Sequence, residues 1–82
     1  MMQTMIRTVN HRERWYRLEV SENLFGEWVL TRSFGSLYHS SPIGVMMETF
    51  PNKVSAYAAY ERLNNQKMKK GYISISDIMD KL

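Results

Sequence analysis

The sequence predicts an α+β fold, one small antiparallel sheet carrying one main α-helix, and three observations predict it. Arg14 to Val20 alternates, with Tyr16, Leu18 and Val20 on one side and Trp15, Arg17 and Glu19 on the other, as a half-buried strand does. Asn23-Leu24-Phe25-Gly26 then supplies turn chemistry, so the strand from Glu27 to Phe34 returns beside the first. Further on, Ala56, Ala59, Tyr60 and Leu63 recur at helical spacing behind a capping asparagine, Asn52. The alanines in that stripe let the helix approach the sheet closely.

The elements follow in order. Met5 to Val9 is a short strand candidate, β-branched at its end, and the polar run Asn10-His11-Arg12-Glu13 interrupts it. After the central hairpin, Ser36 to Gly44 reads as a loop, with Ser40-Ser41-Pro42 and Gly44 as breakers. Val45 to Phe50 resumes as a strand, and Phe50-Pro51-Asn52 leads into the helix. Lys67 continues the apolar stripe one turn past Leu63, its alkyl stem able to cover the sheet edge while the ammonium reaches water. Gly71 suits the left-handed residue that ends a helix, at about Lys70. The tail can extend as Ile73-Ser74-Ile75 and close with a short turn capped by Ser76.

In the returning strand, Trp28, Leu30, Arg32 and Phe34 share one face, and Val29, Thr31 and Ser33 take the other. Burying an unpaired guanidinium is very costly. Either the face opens to solvent at Arg32, or a bulge re-aims the side chains. In both cases Phe34 lies near the boundary between core and water.

Composition bounds the function. At 82 residues the chain reads as one domain over 1–82, and 44% hydrophobic residues place it among folded globular chains. It lacks cysteine, which excludes a disulfide framework and a thiolate zinc site and fits a reducing cytoplasm. No apolar stretch approaches membrane-spanning length, and the first residues lack the apolar core of a signal peptide. The expectation is a cytoplasmic protein. A net charge of +3 permits an acidic partner such as nucleic acid without demanding one. Arg62, Lys67, Lys69 and Lys70 fall together, with no acid between Arg62 and Gly71, and could meet phosphates.

Taken together, these pieces resemble the WGR domain, a small module of poly(ADP-ribose) polymerases and of stand-alone or fused bacterial proteins. The likeness runs from about Trp15 to Tyr72. It is carried by Trp15-Tyr16-Arg17-Leu18, by Trp28-Val29-Leu30 leading into the signature, and by Ala56, Tyr60, Leu63 and Lys67 followed by Gly71-Tyr72. The name-giving Trp-Gly-Arg falls on Phe34-Gly35-Ser36, so two of its three residues differ, and Leu37-Tyr38 stands where the family usually has a glycine. The resemblance implies a small twisted antiparallel sheet with the helix laid against it, in agreement with the reading from the residues. It implies a bacterial-type, non-catalytic nucleic-acid-binding module, weak or accessory, with DNA favoured over RNA. In the polymerases the signature tryptophan packs against the sugar at a DNA end. The alternative is a protein–protein interaction module that retains the fold and has lost its nucleic-acid contacts.

The candidate nucleic-acid-binding residues are Phe34, Gly35, Ser36, Arg32, Arg62, Lys67, Lys69 and Lys70. Phe34 can stack on a sugar or base, or plug the edge of a small core. Gly35 reads as a backbone position needing an unusual φ. Ser36 cannot supply the forked charge of a guanidinium, which leaves Arg32, on the same face as Phe34, as the nearest substitute in sequence. The helix-end cations could equally complement the helix dipole and keep the surface soluble.

His11 and His39 are too far apart, with no acids at ligand spacing, to argue a metal site. Ser40, Ser41 and Asp77 form no defensible nucleophile–base pair. No catalytic residue, metal or cofactor is therefore expected. Nucleic acid is the expected partner, with a protein partner second and neither a membrane nor a small-molecule substrate. Met46, Met47, Met68 and Met79 are expected chiefly as core gap-fillers, although methionine also suits adaptable surfaces.

Overall fold

The computed structural model describes residues 1–75. Strands β1 (Met2–Val9), β2 (Arg12–Glu22), β3 (Trp28–Ser36) and β4 (Gly44–Phe50) precede helix α1 (Lys53–Lys69), and the two-residue β5 (Ile73–Ser74) follows it. They form one antiparallel sheet in the order β4-β3-β2-β1-β5, with α1 packed on one face. The expected α+β fold is what the chain adopts. The Ser76 turn and Met79 lie outside the described residues.

The first strand is longer than its composition suggested. Asn10 and His11 both take positive φ, 51° and 64°, and so form the two-residue turn of a tight hairpin. The polar run therefore folds β1 onto β2, which pair from Met2↔Glu19 to Val9↔Arg12. At the β2–β3 turn, the Asn23 carboxamide oxygen accepts from the amides of Phe25 and Glu27, both at 2.9 Å, and Gly26 takes φ +75°. The loop after Phe34 also begins later than the sequence suggested. Gly35 and Ser36 remain in β3, opposite Trp15 and Arg14.

Alternation sorts the strands by face. Met5, Tyr16, Leu18, Val20 and Leu30 meet Ala56, Ala59 and Tyr60 of α1 in the buried core, with Trp28, Phe34, Phe50 and Leu63 packed against it. Burying each large side chain here contributes about 1.5–3 kcal/mol. The alanines of α1 keep the helix close to the sheet, as expected. Asn52 caps it, its Oδ1 accepting from the Ser55 amide at 2.8 Å.

At the other end, the Gly71 amide donates to the Met68 carbonyl and the Tyr72 amide to the Lys67 carbonyl, with Gly71 at φ +101°. This paired closure is the Schellman arrangement, and only glycine adopts that φ cheaply. It turns the chain sharply and sets Tyr72 beside Lys67. The methionine expectation needs correcting. Met46 and Met47 are 43% and 70% exposed on the edge strand β4, and Met68 is 39% exposed in the last turn of α1.

Candidate nucleic-acid interface

Antiparallel registry brings three rows of side chains to one end of the sheet, on the face that carries α1. Tyr16 stands opposite Phe34, Arg14 opposite Ser36, and Leu18 opposite Arg32. Arg14 is also opposite Arg7 of β1. Like charges directly across a strand pair destabilise it. Arg7 lies over the Tyr72 ring, its Cζ 5.9 Å from the centroid.

The rows form part of a cleft of about 530 Å³, whose lining includes Arg12, Arg14, Tyr16, Arg32, Phe34 and Lys67. Tyr72, His39, Ile43 and Met46 also contribute, as do Trp15, Gly35 and Ser36. Among the described residues, the lining contains no Asp or Glu. That volume lies in the range of small-molecule and cofactor pockets.

Aromatic rings make its floor. Phe34 stacks on Tyr16 with ring centroids 5.8 Å apart and planes within 7°, while Tyr72 meets Tyr16 edge-on at 6.0 Å. Lys67 reaches over this floor, its Nζ 4.1 Å from the Tyr16 ring centroid and 5.7 Å from that of Tyr72. The attraction between ammonium and ring face holds it there. Partial burial pushes the Lys67 pKa down, and the neighbouring charges of Lys70, Arg32 and Arg7 push it further. All four causes disfavour the ammonium in the free protein. An anion in the cleft would relieve the like-charge causes.

Two glycines make room for aromatic rings at this end of the sheet. A Cβ on Gly44 would come within 2.4 Å of Phe34 Cζ, so only glycine at the start of β4 leaves room for that ring. A Cβ on Gly35 would stand 3.0 Å from Trp15 Nε1, because the indole lies across the Gly35 backbone. This corrects the expectation for Gly35. Its φ is not in the left-handed region, and it is glycine for close approach of Trp15.

The two possibilities for Arg32 resolve as well. β3 pairs regularly on both sides, with Arg32 between Leu18 and Met46, so no bulge re-aims it. Its side chain lines the open cleft. Ser36 acts on the loop that follows it, its Oγ accepting from the Tyr38 amide at 3.2 Å. The Tyr38 hydroxyl in turn donates to Glu13 Oε2 at 2.8 Å, pinning the β3–β4 loop beside β2. That hydrogen bond and the Glu13 charge raise the Tyr38 pKa.

Of the eight candidate residues, Phe34, Gly35, Ser36, Arg32 and Lys67 come together in the cleft. Arg62 and Lys69 are exposed on α1 away from it, and Lys70 lines a separate depression with Arg7 and Gly71. The run of cations thus splits around the helix, because residues five, seven and eight positions past Arg62 point in different directions at 3.6 residues per turn. Sequence reasoning missed Arg12, Arg14, Tyr16 and Tyr72 as cleft residues. Parity alone placed Arg14 on the face of Tyr16. Its position opposite Ser36 required the register.

The family model of the WGR domain matches residues 1–78. The chain belongs to the WGR family. The match extends past the Trp15–Tyr72 stretch that carries the likeness, taking in β1 and the two-residue β5 that pairs with it. WGR domains are known as nucleic-acid-binding modules in poly(ADP-ribose) polymerases. No curated protein and no solved structure gives a match. In this WGR domain the first signature position, Phe34, forms the cleft floor, and the third, Ser36, has a cleft-lining arginine directly across from it. No helix among the described residues is long and apolar enough to cross a membrane.

Proposed function

We propose that this WGR domain is a non-catalytic module that binds nucleic acid, DNA ahead of RNA, in the cleft between the β1–β2 hairpin, the β3–β4 loop and the end of α1. One observation carries the reading: an aromatic floor of Tyr16, Phe34 and Tyr72 is ringed by Arg12, Arg14, Arg32 and Lys67, with no acidic side chain among the described residues of the lining. A ring stacks on any sugar or base, and the cations neutralise phosphates on either side. Phe34 serves as the stacking face, with Gly35 and Ser36 shaping the strand end beneath it. Arg14, across from Ser36, supplies the forked charge that serine lacks. Arg62, Lys69 and Lys70, outside the cleft, add long-range attraction. The preference for DNA follows the family, and the cysteine-free composition fits a cytoplasmic setting. Residues 1–82 act as one domain in this reading.

A salt titration tests it. Neutralising four phosphates of a single strand gives a slope of log K against log salt of about −2.8, hence about a 50-fold loss of affinity from 50 to 200 mM salt. The absence of binding to duplex, nicked and single-stranded DNA and to RNA at low salt would refute the reading. It would leave the protein-interaction module in its place.

A further inference from the structure

The β2–β3 turn carries an unexplained pair of side chains. Its backbone is tightly fixed: besides the two bonds to the Asn23 carboxamide oxygen, the Asn23 amide donates to the Glu27 carbonyl at 2.8 Å and the Gly26 amide to the Asn23 carbonyl at 3.2 Å. Nothing in that geometry asks for an apolar residue at the tip. Yet Leu24 and Phe25 stand there 101% and 86% exposed. A rigid apolar pair presented to water is suited to insertion into a partner.

The surroundings narrow the partner. Glu22 and Glu27 flank the tip and are exposed, which disfavours nucleic acid and anionic lipid and favours an apolar hollow with a basic rim. This chain carries such a hollow. The cleft described above combines rings, Ile43 and Met46 with a rim of arginines. It lies at the opposite end of the same hairpin, since the β2–β3 pairing runs from Arg14↔Ser36 at the cleft to Glu22↔Trp28 at the turn. Eight residue steps of strand separate the two by about 27 Å, so the tip cannot reach its own cleft.

We propose that the Leu24-Phe25 tip docks in the cleft of a second copy of this chain, with Phe25 on the aromatic floor and Glu22 and Glu27 facing Arg12 and Arg14. The interface is head-to-tail, so each copy offers one tip and one cleft, and association continues into chains or closes into a ring. Because the docked tip fills the cleft, self-association and nucleic-acid binding exclude one another. The docking itself does not depend on the nucleic-acid reading.

Sedimentation of the full chain at low salt tests this. The mass is expected to rise above 9.7 kDa with concentration and to fall back with added salt. Phe25→Ser removes the tip and Arg14→Glu spoils the cleft rim, so each variant alone is expected to remain monomeric, with folding checked by circular dichroism. An equimolar mixture restores one good interface, the tip of the Arg14→Glu copy in the cleft of the Phe25→Ser copy, and the mass doubles. A monomeric wild type at every concentration overturns the proposal. So do a Phe25→Ser protein that assembles like wild type, as pairing through the exposed β4 edge would allow, and a mixture that stays monomeric. Phe25-dependent binding to neutral phospholipid vesicles by a monomeric wild type would assign the tip to lipid, and likewise overturns it.

A single-stranded oligonucleotide supplies the second arm. It is expected to dissociate the wild-type assembly and to bind Phe25→Ser with an undiminished salt slope. If it binds while the assembly stays intact, the tip is not in that cleft. If no oligonucleotide binds, the nucleic-acid reading alone falls, because the mixing experiment contains no nucleic acid.

Discussion

Replacing Gly44 by alanine should displace a ring ten residues away in sequence. The new Cβ would lie 2.4, 2.8 and 3.0 Å from Cζ, Cε2 and Cε1 of Phe34. Carbon atoms rest at about 3.5–4.0 Å, so the ring tip has to move by roughly 1 Å or more. Such overpacking typically costs about 1–3 kcal/mol. Part of the stack on Tyr16, worth about 0.5–1.5 kcal/mol, is lost with it. Alanine returns about 0.5–1 kcal/mol by restricting the unfolded chain, and Gly44 has no positive φ to oppose it.

The net expectation is a destabilisation of about 1–2 kcal/mol. In a Phe34→Ala background the clash is gone, and Gly44→Ala should stabilise by about 0.5–1 kcal/mol. The coupling between the two sites is then about 2 kcal/mol, read from four urea denaturation curves. Additivity within about 0.5 kcal/mol would show that the ring does not rest on Gly44 and refute the reasoning.

Other outcomes follow from the same geometry. Lys67→Met should reduce the salt slope for oligonucleotide binding by about 0.7, one phosphate fewer, while the free protein loses no stability. Wild-type Lys67 has a folded pKa below its unfolded value, so it binds fewer protons folded than unfolded between the two. Its contribution therefore becomes more favourable as pH rises from the lowered value towards 10.5, and Lys67→Met should remove that alkaline gain in pH-dependent urea unfolding. Tyr60 acts the opposite way: burial, then Tyr57, raises its pKa, so its stabilisation is lost as pH climbs above 10.0. Tyr60→Phe should flatten that alkaline decline in the same assay. Gly71→Ala, forced to φ +101°, should cost about 1–2 kcal/mol and weaken oligonucleotide binding by loosening Tyr72 beside Lys67. Asn52→Ala should cost about 0.5–2 kcal/mol by losing the helix cap, yet leave oligonucleotide affinity unchanged at equal folded fraction.

The sequence revealed most where a local rule decides. Alternation placed Tyr16, Leu18 and Val20 on the core side, Asn52 and Gly71 marked the helix ends, and the stripe through Leu63 led to Lys67. It revealed less where partners far apart in the chain decide. Whether Asn10-His11 interrupts a strand or turns it depends on β1 finding β2, and Ser36 stays in β3 because Arg14 pairs with it. Gly35 reads in the sequence as a dihedral requirement, whereas the cause is an indole from the neighbouring strand. Met46 and Met47 read as core because composition cannot show which strand becomes an edge. The cleft has the same origin: each cation lies on an ordinary local element, and only register and helix placement bring them together.

The indole lying across Gly35 has a practical consequence. The chain contains two tryptophans, Trp15 among the residues lining the cleft and Trp28 near the start of the helix, packed with Tyr57 and with Lys53 5.6 Å from its ring centroid. Their emission therefore reports on opposite ends of the sheet. With Trp28→Phe, Trp15 becomes the sole indole emitter, a built-in fluorophore whose response to added oligonucleotide reports on the cleft end of the sheet without any attached dye.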